Sequence, residues 1–139
     1  VALLVLDEQI ENPNLITGLR GRGIDANTVG DLGATGRPDP EVIRRVQDEL
    51  GPRPWVLVTM DLTIVEDHER FDWERYAIAW IVVNDTLRGG QVEHAKADIV
   101  HRHAHVIRQQ SRGEHHTYTA KQRFKHRPSL ASLVRHQGR

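Results

Sequence analysis

Ala2-Leu3-Leu4-Val5-Leu6 runs into Asp7-Glu8, and Trp55-Val56-Leu57-Val58-Thr59 runs, one residue further on, into Asp61. Two five-residue stretches without an internal charge, each followed by an acid, predict strands buried on both faces that deliver carboxylates at their carboxyl ends. The chain between them has helical punctuation. Asn12-Pro13 supplies an N-cap and a first-turn proline, Leu15, Ile16 and Leu19 make one apolar face, and Gly21 and Gly23 stop the helix. A short strand is predicted at about residues 24–29, followed by the glycine-rich loop 30–38. Asp39 as N-cap and Pro40 at the first helical position then open a helix whose apolar positions are Val42, Ile43, Val46 and Leu50, ended by Gly51-Pro52. The order is βαβαβ. Short crossovers between continuously apolar strands predict a parallel sheet with helices on both faces and functional residues at the carboxyl ends of its strands.

Downstream, the acidic stretch 66–72 reads as loop or short helix, and residues 77–83 as a fourth strand. From Gly90 to Arg112 the pattern is helical, with Val92, Ala95, Ile99, Val106 and Ile107 at three- and four-residue spacing. The expected organisation is one α/β domain over residues 1–112 and a basic C-terminal arm over 113–139, weakly patterned and either ordered or ordering on binding.

Charge divides along the same line. Residues 1–87 hold eight Arg and no Lys against sixteen acids, whereas residues 88–139 hold eleven Lys and Arg against three acids and eight of the nine histidines. A carboxylate-rich body suits a divalent cation, and a basic arm suits a polyphosphate. The absence of cysteine excludes disulfides, thiolate catalysis and cysteine zinc sites. No apolar run approaches a membrane span and no secretory pattern opens the chain, so the expected location is the cytoplasm.

Asp7, Asp39 and Asp61 are the acids that a parallel sheet would bring together, with Glu8 and Asp31 beside them. Taken singly, an Asp at a helix start is a cap and an acid beyond a strand is solvated. Taken together they repel unless a proton or a cation neutralises them. Hard oxygen donors of this kind suit Mg²⁺ or Mn²⁺.

The stretches LLVLDE (3–8), VGDLGATGRPDPEVI (29–43) and WVLVTMDLTI (55–64) resemble the PIN-like domains, metal-dependent ribonucleases that include the VapC-type toxins of bacterial toxin–antitoxin pairs, and most of all a short PIN-like subgroup. The resemblance covers residues 3 to about 83. It implies a three-layer α/β fold with a central, mainly parallel sheet of about four strands flanked by helices. It also implies Asp7, Asp39 and Asp61 as catalytic metal-binding aspartates, with Asp31 and Glu8 as further ligands and Thr59 and Thr63 in support. The activity implied is hydrolysis of RNA with Mg²⁺ or Mn²⁺, and the partner implied is a small DNA-binding antitoxin, in a hetero-oligomer or beside a homo-oligomer. In the family the last motif continues with a second Asp and a Phe, where this chain has Thr63 and Ile64. That departure supports the competing reading, a catalytically weak PIN-like protein that binds RNA or a regulatory partner. A phosphoacceptor domain is a third reading, without a matching late lysine.

In the basic half, Tyr118, Lys121, Arg123, Lys125 and Arg127 combine cations with an aromatic ring and are the candidate RNA contacts, by phosphate pairing and base stacking. His94, Asp98, His101 and His105 share a helix face that could bind zinc but, without a defined third ligand from another element, reads as a polar surface or a contact surface, whereas His103 reads as packed against the apolar stripe. Trp80, inside an apolar run, is the clearest core tryptophan.

Overall fold

A computed structural model describes residues 1–33, 39–61 and 75–125, the side chains of Asp39 and Pro40 excepted. Thr63, Arg127, Trp73, the acidic stretch 66–72 and the carboxylate of Asp39 therefore lie outside the described residues.

The first three strands form where the apolar runs predict them: β1 at Leu3–Leu6, β2 at Ala26–Thr28 and β3 at Trp55–Thr59. Helix α1, Pro13–Gly21, starts as its sequence dictates, with the Asn12 carboxamide accepting from the amides of Asn14 (2.9 Å) and Leu15 (3.4 Å). Gly23, at φ 77°, takes the left-handed turn that lets the chain reverse into β2. Helix α2, Asp39–Leu50, includes Asp39 as its first residue, one position earlier than the N-cap reading. Strand β4 is Ala77–Ile81, two residues shorter than predicted at its end. Helix α3 is Gly90–Ile107, five residues shorter than predicted, because its apolar spacing stops at Ile107 and a polar turn leads to Gly113 at φ 84°.

Two further strands lie in the segment read as an arm. Strand β5 at His115–Tyr118 pairs in parallel with β4, and β6 at Arg123–Phe124 returns antiparallel to β5. The sheet of the described residues thus has six strands in the order β2-β1-β3-β4-β5-β6 and not about four, and five of the six are parallel. Polar letters hid β5. His115, His116 and Thr117 break the apolar pattern, and partners elsewhere in the fold satisfy part of that polarity.

Alternation along the buried strands divides the core in two. Leu4, Leu6, Val56, Val58, Ala77, Ala79, Ile81 and Tyr118 face α1 and α3. Leu3, Val5, Leu57, Ile78 and Trp80 face the other way, toward Val42, Ile43 and Val46 of α2. Helix, sheet and helix make three layers. Trp55 and Tyr76 stack at 4.7 Å on the α2 side, and Trp80 is in the core as its sequence context predicts. Among the described residues no helix is long and apolar enough to cross a membrane.

The core stripe of α3 runs along Lys96, Ile99, Val100, Ala104 and Ile107, while Val106 is exposed. Lys96 is buried within an otherwise apolar stripe. Its ammonium donates to the carbonyl of Gln9 and to Glu93 Oε1 at 2.8 Å, so the charge enters the core margin already paired.

Candidate active site

The strand order creates one place where chemistry converges. From β1 the chain moves outward to β2, then crosses back to β3 on the other side of β1, so the crossovers diverge between β1 and β3. In open parallel sheets the crevice at the carboxyl ends of such a strand pair is where ligands bind. Asp7 follows β1 and Asp61 follows β3.

Register brings them together. Leu6 is paired with Val58, the Asp7 amide donates to the Val58 carbonyl at 3.0 Å, and Thr59 is the last residue of β3. The Thr59 side chain is fully buried. Its hydroxyl donates to Asp7 Oδ2 at 2.8 Å and accepts from the Asp61 amide at 2.9 Å. Asp7 Oδ1 accepts from the Glu8 amide at 2.9 Å and so caps the 3-10 turn at Glu8–Ile10. Asp7 is 9% exposed, and burial pushes its pKa above the usual 3.8; the bonds from Thr59 and Glu8 pull it down, and the charges of Asp61 and Glu8 push it up again. Among the described residues no Lys or Arg pairs with it. An acid that is buried, fixed by two donors and faced by further acids is a group that a cation would relieve.

The other predicted acids are placed less closely. Glu8 is exposed at the start of the turn, and Asp61 is half-buried. Asp31 is exposed beyond β2, its amide donating to Thr28 Oγ1 at 3.0 Å. With Glu11, Asn12, Pro13, Ile16 and Thr28 it lines a cleft of about 400 Å³ beside the N-terminus of α1. Glu11, which the sequence reading passed over, accepts from the Gly30 amide at 2.9 Å and ties this loop to α1. The Thr59 hydroxyl thus links the Asp7 carboxylate to the backbone amide of Asp61. Among the described residues no group of three His, Asp or Glu side chains is arranged to hold a metal ion.

The basic residues separate into two kinds. Lys121, Arg123 and Lys125 are exposed on the β5–β6 hairpin. Tyr118 is not available for base stacking: it is fully buried, its hydroxyl donates to Gln110 Oε1 at 2.7 Å, and its ring lies 5.2 Å from that of His103 and 6.4 Å from that of His116. Strand alternation turns Tyr118 inward with the α3 face, and burial pushes its hydroxyl pKa well above 10. His103 packs as expected, its Nε2 against the Thr119 carbonyl at 2.9 Å, which fixes the proton on that nitrogen. His116 pairs with Glu114 at 2.8 Å. On the polar face of α3, Asp98 pairs with Arg102, and Arg22 reaches both Nδ1 and the carbonyl of His101, so this face joins α1 to α3.

Lys96, Gln110, His116, Thr117 and Thr119 are buried polar residues that the sequence reading missed. The signal for Lys96 was its place on the stripe of Ile99, Val100, Ala104 and Ile107. Compared with family models, curated proteins and solved structures, the chain has no match.

Proposed function

We propose that this chain is a divalent-cation-dependent endoribonuclease of the PIN-like kind, acting in the cytoplasm as the toxin of a toxin–antitoxin pair. The observation that carries the proposal is the Asp7–Thr59–Asp61 linkage at the crevice between β1 and β3. A Mg²⁺ or Mn²⁺ ion held by Asp7, Asp39 and Asp61, with Glu8 and Asp31 in support, would polarise the scissile phosphate and make a bound water acidic enough to act as nucleophile. The chain's own residues prepare that site. Thr59 holds one oxygen of Asp7 and the backbone of Asp61 in a fixed relation, and the Glu8 amide holds the other oxygen of Asp7. Burial makes the Asp7 carboxylate a stronger base and rewards its neutralisation. Lys121, Arg123 and Lys125 supply phosphate contacts along the hairpin, with Arg127 continuing the same basic sequence. The inhibitory partner of such a toxin is a small DNA-binding antitoxin that covers the acidic crevice, in a hetero-oligomer.

The test is RNA cleavage in Mg²⁺ or Mn²⁺ by the native chain, Asp7→Asn and Asp61→Asn. Cleavage by the native chain and its loss in both variants is the expected result; cleavage undiminished in both would sink the assignment. Thr63 and Ile64, standing where the family motif has Asp and Phe, favour a second reading as a catalytically weak RNA-binding or regulatory protein. That reading predicts RNA binding with no metal-dependent cleavage by the native chain.

A further inference from the structure

The opposite pole of the sheet, at the amino ends of β3 and β4, carries a cavity of about 390 Å³ lined by Gln47, Asp48, Gly51, Pro52, Arg75 and Arg112. The two arginines come from separate segments that one backbone bond holds side by side: the Gly113 amide donates to the Tyr76 carbonyl at 2.9 Å. The turn bearing Arg112 is braced further. The Ser111 amide donates to Glu114 Oε1 at 3.0 Å, and the Gln110 carboxamide donates to the Ile78 carbonyl at 2.9 Å. Arg112 donates to the Pro52 carbonyl across the cavity. Arg75 is exposed, and among the described residues neither arginine belongs to an ion pair.

Gln47 belongs to the wall of the cavity. The Trp55 indole N–H donates to its Oε1 at 3.1 Å, and because indole is only a donor this fixes which end of the amide is oxygen. Its Nε2 is then a buried donor with no hydrogen-bond partner. That nitrogen is sealed from the cavity, so the charge of the site comes from Arg75 and Arg112, neither of them ion-paired among the described residues. Against the anion stand the Asp48 carboxylate and about half a negative charge at the end of α2; two full positive charges exceed them.

We propose that this cavity binds a phosphate oxyanion, with Arg75 and Arg112 as charge partners. Planar guanidinium forks match phosphate oxygens in pairs, which favours phosphate over a simple halide. The phosphate belongs either to a free nucleotide or to a nucleic-acid backbone, and both present the same oxygens. The site lies at the other end of the strands from Asp7 and Asp61, so it stands or falls separately from the ribonuclease reading.

The test is calorimetric titration of inorganic phosphate into the full chain at low salt with EDTA present. Saturable binding is expected, weakened about tenfold or more in Arg75→Ala and unchanged in Asp61→Asn. The Arg75 side chain makes no hydrogen bond or ion pair with the described residues, so its variant should melt as the native chain does. Adenosine monophosphate and the diester ApA then identify the source: tighter binding of the monoester assigns a free nucleotide, and tighter binding of the diester assigns a nucleic-acid backbone. Absence of saturable phosphate binding, or binding kept by Arg75→Ala and lost in Asp61→Asn, would overturn the proposal.

Discussion

Replacing Thr59 by Val keeps the shape of a fully buried side chain and removes one hydroxyl, so its effect isolates the link between Asp7 and Asp61. The bond to Asp7 Oδ2, at 2.8 Å, joins a donor to an ionisable acid in a buried setting, and such bonds contribute about 1.5–3 kcal/mol. The Asp61 amide, 2.9 Å from the same oxygen, loses its acceptor, for about 1 kcal/mol more. The added methyl returns about 0.8 kcal/mol through burial. The balance is a loss of about 2–3 kcal/mol at pH 7, or roughly 6–12 °C in Tm for a domain of this size. The loss depends on pH with a definite sign. Asp7 has a folded pKa above its unfolded value, so the stability associated with its protonated form is complete below about pH 3.8 and is lost as pH rises through the folded pKa. Removing the Thr59 donor raises that folded pKa further, and the gap between variant and native chain must widen from pH 4 to pH 7. Urea unfolding followed by circular dichroism at both pH values measures the gap, and Thr59→Ser should recover most of it. A gap under about 0.5 kcal/mol at pH 7, or one equal at the two pH values, would refute the reasoning.

Asp7→Asn removes a buried ionisable acid but leaves one oxygen for two donors, the Thr59 hydroxyl and the Glu8 amide, so in EDTA at pH 7 it should lie within about 1–3 kcal/mol of the native chain; Mn²⁺ at 100 times its Kd should stabilise the native chain by about 2.7 kcal/mol and leave the variant unmoved. A variant destabilised by more than about 3 kcal/mol in EDTA, or stabilised by Mn²⁺ as the native chain is, contradicts the account of Asp7. Burial holds the pKa values of His103 and His116 below 6.5, so the unfolded chain takes up protons first and stability must fall as pH drops below 6.5, with a further loss at lower pH from Glu114, whose pKa is held below 4.5 by the Ser111 amide. Replacing both histidines by Gln should flatten a melting profile between pH 7 and pH 5; an unchanged slope would assign the loss to other groups. Tyr118→Phe should cost about 1–2 kcal/mol through the orphaned Gln110 oxygen and leave RNA affinity alone, measured by urea unfolding and filter binding; lower RNA affinity at unchanged stability would return Tyr118 to an RNA interface.

The failures of sequence reading share one cause. His115, His116, Thr117 and Tyr118 carry no apolar alternation of the usual kind, and two of them bury polar groups that meet partners close in space: His116 meets Glu114, and Tyr118 meets Gln110 just beyond α3. Lys96 looks like a surface lysine until Glu93 and the Gln9 carbonyl stand beside it. The 3-10 turn after β1 follows from Asp7 acting as its cap, a role that competes in sequence with a purely catalytic reading of the same acid.

The local pattern by itself determined the first three strands, both early helices with their stops, the division into two helix-covered faces and the delivery of Asp7 and Asp61 at strand ends, because burial on a period of two or of 3.6 is written in neighbouring residues. Tertiary structure alone decided the strand order, the enlargement of the sheet by β5 and β6, the burial of Tyr118 and the joining of two acids through one threonine hydroxyl. The physical reason is range: periodicity reports which face of an element avoids water, but the partner that satisfies a buried hydroxyl or carboxylate comes from a strand or helix far along the chain.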